Sequence, residues 1–80
     1  MTTNRFVSRV VSLDGERYCD VFSRNQDGLF YFVESARQID PKEHFEYWVP
    51  IYESGLYPDA TLLERDMVMT MPWLRNKISD

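Results

Sequence analysis

Cys19 is the only thiol of this 80-residue chain and His44 its only imidazole. A nucleophilic site needs a thiol or hydroxyl beside a base. The candidate sets are therefore Cys19 with His44, and Ser54 with His44 and an aspartate. Neither set lies in a surrounding motif. Cys19 falls in the middle of a β-rich run, where a buried cysteine behaves as a small hydrophobe. His44 reads as a solvated residue at a strand start. Metal chemistry has little to work with. His44 and Glu46 share one strand face, but a structural zinc takes four ligands and a catalytic one three. Asp59, Glu64 and Asp66 fall on different faces of one helix. The chain has 3 glycines, none in a phosphate-loop pattern. This reading predicts no catalytic residue, no metal site and no cofactor, and hence no enzyme.

Nucleic acid is the next candidate ligand. Arg5, Arg9, Arg17 and Arg24 accompany Phe30 and Phe32 on β-prone runs, which suggests bases stacking on a sheet. Acids interleave with these arginines throughout. With 9 basic against 13 acidic residues the net charge is -4, whereas phosphate binding needs clustered bases. The whole of that charge comes from residues 38–80; residues 1–37 balance. The acidic half reads as a solvated face.

The elements that must position any site follow from turns and periodicity. Asp14-Gly15 lies between two β-rich runs, 5–13 and 16–23, and suits a tight type I′ hairpin. A two-residue turn sets Val11 opposite Tyr18, Arg9 opposite Asp20 and Val7 opposite Phe22. Val10 with Cys19, and Ser8 with Val21, then occupy the other face. A second turn at 24–28 leads to a strand over 29–35 that is apolar on both faces, as in a covered central strand. A polar connection, 35–42, precedes a strand over 44–52. There Phe45, Tyr47, Val49 and Ile51 face one way and Glu46, Trp48, Pro50 and Tyr52 the other. Pro50 cannot donate to a ladder, so this strand is either an edge or broken there, and a helix over 41–49, opened by Pro41-Lys42-Glu43, is the rival reading. Asp59 reads as the N-cap of a helix over 60–70. Its apolar stripe is Ala60, Leu63, Met67, Thr70 and Met71. Pro72 stops the helix, and a tail over 71–80 carries Trp73 and Leu74 back onto the core in extended form. The expectation is one domain over 1–80, of α+β class: an antiparallel β-meander of three to four strands with one C-terminal helix on one face.

The string Ser54-Gly55-Leu56-Tyr57-Pro58-Asp59-Ala60, with Leu63-Glu64-Arg65-Asp66 and Met71-Pro72-Trp73-Leu74, resembles small uncharacterised bacterial proteins. In these a sheet with an aromatic-rich strand precedes a capped helix ending in Pro-Trp-Leu. The resemblance covers the last third of the chain well and the strands loosely. It implies the same strand–helix order and a bacterial source. It implies no catalytic or ligand residue, because the group has no established function. The helix departs from it in carrying Met67, Met69 and Met71 where alanine is the rule.

The longest apolar runs are a few residues, such as 29–33, against the roughly 20 that span a membrane. The first residues lack the apolar stretch of a secretory signal. With a lone free cysteine, these features point to the cytoplasm. Aromatic residues make up 15% of the chain, and both sheet faces read as apolar. One helix covers only one face, so the other needs a tail or a second molecule. Leu62 and Met69 add apolar surface opposite the helix's core stripe. The chain therefore reads as a small non-enzymatic protein-interaction domain whose partner is another protein or a second copy, most simply a homodimer. Its expected contact residues are Tyr47, Trp48, Tyr52, Leu62 and Met69. The alternative is a small-ligand binding domain with an aromatic pocket between helix and sheet, walled by Tyr31, Tyr47, Trp48 and Trp73.

Overall fold

Strong β-formers and three short loops build a sheet of four antiparallel strands in the order β1-β2-β3-β4. The computed structural model describes residues 4–74. The strands are β1 (Arg5–Val11), β2 (Arg17–Ser23), β3 (Phe30–Ile39) and β4 (Glu46–Glu53), followed by α1 (Ala60–Thr70). This is the α+β meander with a single C-terminal helix that the sequence predicts.

The loops differ from expectation in detail. The first is not a two-residue turn. Ser12 donates to the Arg17 carbonyl at 2.9 Å and Gly15 to the Ser12 carbonyl at 3.1 Å, leaving residues 13–16 as the loop. Gly15 takes φ 73°, and the Asp14 carboxylate accepts from the Glu16 amide and the Ser12 hydroxyl. The longer loop leaves the register intact: Val11 pairs with Tyr18, Val10 with Cys19, Arg9 with Asp20 and Ser8 with Val21. A bulge at Val7 then moves Phe6, not Val7, opposite Phe22.

The second and third loops share one design. Gly28 donates to the Arg24 carbonyl and His44 to the Asp40 carbonyl, each closing the turn from its last position. That position is left-handed in both: φ is 73° at Gly28 and 61° at His44. Asp40 holds its loop by accepting from the Lys42 and Glu43 amides.

β3 runs on to Ile39, so residues 35–39 are strand and not connection. Polar side chains there obscure the strand, but Ala36, Arg37, Gln38 and Ile39 all pair with β4. β4 crosses Pro50 intact because it is an edge strand. A register shift falls between Glu34 and Ser35, whose partners are Tyr52 and Pro50. That bulge turns Tyr52 to the same face as Tyr47 and Val49, opposite to the simple alternation. Beyond β4, Ser54 bridges a gap in the ladder: its hydroxyl accepts from the Phe32 amide at 2.9 Å, and its amide donates to the Phe32 carbonyl.

Asp59 caps α1 by accepting from the Leu62 amide at 2.9 Å. Leu63 and Met67 turn inward, while Ala60 and Thr70 of the expected stripe stay exposed. After Pro72 the backbone turns helical at Trp73 and Leu74 instead of extending, with the Leu74 amide on the Met71 carbonyl. The rest of the expected tail, 75–80, lies outside the described residues. Leu74 closes the core with Cys19, Val21, Phe32, Leu63, Met67 and Met71. The buried Glu34 carboxylate anchors the turn, accepting from the Trp73 indole at 3.0 Å and from Arg17 at 3.2 Å. The helix and its tail thus occupy the face of Cys19, Val21 and Phe32. The face of Tyr18, Asp20 and Phe22 has no element across it among the described residues.

Candidate functional site

Strand alternation builds the open face, and the bulge at Val7 adds Phe6 to it. β2 contributes Tyr18, Asp20 and Phe22, and β3 sets Ser35, Val33 and Tyr31 directly opposite them. At one end Phe22 stacks on Tyr31 at 5.2 Å, and Phe6 meets Phe22 edge-on at 6.0 Å. At the other end Tyr18 and Trp48 approach to 4.7 Å, although β3 runs between their strands. Ser35 is the intervening residue; its small side chain leaves room for the rings and is buried. Phe6 is 53% and Trp48 42% exposed, whereas Phe32 and Cys19 on the covered face are at 0%.

Two ion-pair groups lie on this face, while Glu53, opposite Val33, is in none of the ion pairs among the described residues. Arg9 grips Asp20 through two hydrogen bonds of 2.6 and 2.9 Å, and its guanidinium lies 4.0 Å over the Tyr18 ring. The hydrogen bond to Asp20 pushes the Arg9 pKa further up. Arg37 donates twice to Glu16, at 2.8 and 2.6 Å, and also bonds Glu46. The same contact holds Glu16 below the usual carboxylate range. Among the described residues no buried side-chain polar atom lacks a partner.

The expected contact residues divide. Trp48 lies on the open face. Tyr47 and Tyr52 lie on the helix side, paired with Gln38 and Glu34, with the Tyr52 ring 5.8 Å from Phe32. Leu62, half-buried, and Met69, exposed, lie on the helix itself, on a stripe with Asp66. The structure therefore does not gather these residues on one patch. The four expected pocket walls separate in the same way. Tyr31 and Trp48 are on the open face, and Tyr47 and Trp73 on the other, so the sheet stands between the two pairs. An apolar groove of about 370 Å³ between helix and sheet lies beside β1 and is lined by none of the four.

Phe6, Arg9 and Val33 belong to the open face as much as Trp48 does. The hairpin register already aligns Arg9 with Tyr18 and Phe22, but it does not say which face the helix leaves.

The nucleophile candidates lie apart. Cys19 is under the helix, where burial pushes its thiol up to about 12. His44 holds the left-handed corner of the third loop. The Ser54 hydroxyl is engaged with the Phe32 amide and the Gly55 carbonyl. Among the described residues no three His, Cys, Asp or Glu side chains cluster to hold a metal ion, and no helix is long and apolar enough to cross a membrane. No protein-family model, curated protein or solved structure matches the chain.

Proposed function

We propose that this chain is a small, non-enzymatic, cytoplasmic protein-interaction domain that works as a homodimer through its open sheet face. One observation carries the reading. A four-stranded sheet presents Phe6, Tyr18, Phe22, Tyr31, Val33 and Trp48 on a face with no element across it among the described residues. Contiguous exposed apolar surface marks contacts. Four strands of about eight residues, at ~4.8 Å spacing and ~3.3 Å rise, give a flat footprint of roughly 500 Å².

Self-association suits this surface because Arg9 and Asp20 at its middle neutralise each other and apolar rings flank them. A two-fold axis through the Arg9–Asp20 pair lays the Phe22 end of one copy on the Trp48 end of the other. The edges suit pairing less well. β1 is bulged at Val7, and β4 carries Pro50 beside a register shift. Both devices blunt an edge strand.

Light scattering after size exclusion, over a concentration series, tests the reading. The native chain is expected at dimer mass in the low micromolar range. Trp48→Ala and Tyr18→Ser are expected at monomer mass with unchanged far-ultraviolet circular dichroism. Dimer mass in both folded variants removes the open face as the contact, and monomer mass in the native chain removes the homodimer.

A further inference from the structure

We propose that the groove between α1 and β1 binds a linear aliphatic chain ending in a cationic amine. The inference is independent of the open face, since the groove lies on the opposite side of the sheet. α1 packs over Cys19, Val21 and Phe32, in β2 and β3, and leaves the same side of β1 beside it. The resulting groove, of about 370 Å³, has Ser8, Val10 and Val21 in its floor and Ala60, Glu64 and Val68 along its helix wall. Its volume is at the lower end of the range of ligand sites, about 300–1,000 Å³, and its mostly aliphatic lining suits an alkyl chain.

Two sequence features keep the groove open. Ser8 and Ala60 are small where larger side chains would fill the space. The β1 bulge falls at Val7, which itself lines the groove. Bulges re-aim side chains and are over-represented next to functional sites. The wall is apolar apart from Ser8 and Glu64, and Glu64 is its only ionisable residue. Glu64 is exposed and appears in none of the ion pairs among the described residues. A carboxylate at the edge of an apolar trough attracts a cationic head and repels an anionic one.

Amide NMR titration of the full chain tests this, with hexylamine, octylamine and decylamine as probes, octanoate as the anionic control, and all below micelle formation. Shifts are expected at Ser8, Val10, Val21 and Val68. Affinity is expected to rise about fourfold per added methylene until the groove is full. Octanoate is expected to bind octylamine's site about fivefold more weakly. Glu64→Gln is expected to abolish that preference while keeping the chain-length dependence. Val68→Trp, its fold checked by thermal unfolding, is expected to lose all probes. Equal binding of octylamine and octanoate by the native chain overturns the cationic specificity. Shifts confined to the open face, or no shifts, overturn the site. Groove shifts that follow protein concentration without a probe mean that a second copy occupies the groove, which also overturns the proposal. The light-scattering mass is read separately, so failure here does not count against the open-face dimer.

Discussion

The two faces of this sheet are made by the same strands and differ in fate. On one, Cys19 and Phe32 are sealed from water by Leu63, Met67, Met71 and Leu74. On the other, one residue away along each strand, Tyr18 packs on Trp48 and Arg9, and Phe22 on Phe6 and Tyr31, with no further layer among the described residues. The side chains are of similar kind; the difference is the presence of a second layer. Aromatic content therefore does not locate a core. The covered face is where the folding free energy of this small domain concentrates. The open face is largely apolar area with no second layer among the described residues.

Substitutions that separate stability from association sharpen this contrast most. Phe32→Ala on the covered face is expected to lose about 3–5 kcal/mol, a large part of the roughly 4–12 kcal/mol available to a domain of this size. Phe22→Ala, half-exposed on the open face, is expected to lose about 1–2 kcal/mol at protein concentrations below dimerisation. Urea unfolding of both variants checks the pair. Equal losses erase the distinction between the faces.

Cys19 probes the covered layer without a mutation. Its folded pKa, about 12, lies above the ordinary 9.0, so the folded thiol keeps its proton where the unfolded one loses it. The stabilisation is complete below about pH 9 and is lost as pH rises through about 12. Native-state thiol labelling at pH 8 is expected to be slow and to follow global unfolding. Rapid labelling would mean that the helix opens independently of the sheet.

Smaller effects come from the rims. His44 holds φ 61°, a conformation open to glycine at no steric cost. His44→Gly is expected to raise stability by up to about 1 kcal/mol in thermal unfolding, against a loss of about 1 kcal/mol for Asp59→Ala at the helix cap. The smallest effect belongs to the open face. Glu16 and Asp14 are held below the usual carboxylate range, Glu16 by its hydrogen bonds to Arg37 and Asp14 by those from Ser12 and the Glu16 amide. Each contributes stability above the unfolded carboxylate pKa that is lost as pH falls through the folded value. Glu16→Gln is expected to flatten the acid limb of stability slightly, with less difference at high salt, in melts from pH 6 to pH 2.

Local rules are legible in this sequence because local chemistry enforces them. Asp14-Gly15 and Asp27-Gly28 mark loops whose glycines take positive φ. Period-two alternation places Arg9 across from Asp20 and Val10 across from Cys19. Asp59 starts the helix and Pro72 ends it. What stays illegible depends on partners distant in sequence. Residues 35–39 look like a connection because their polar side chains hide a strand that only pairing with β4 establishes. Tyr52 changes face because a bulge between Glu34 and Ser35 interrupts the alternation, and no neighbouring residue announces it. That bulge, with the helix placement, scatters Tyr47, Trp48, Tyr52, Leu62 and Met69 over two sides of the sheet. The sequence by itself determined the elements, their order and most of their register, since turns, caps and periodicity act over a few residues. Only the tertiary structure decided which face the helix covers. That choice rests on Leu63, Met67 and Leu74 meeting Cys19, Val21 and Phe32 across the whole length of the chain, and no local preference encodes it.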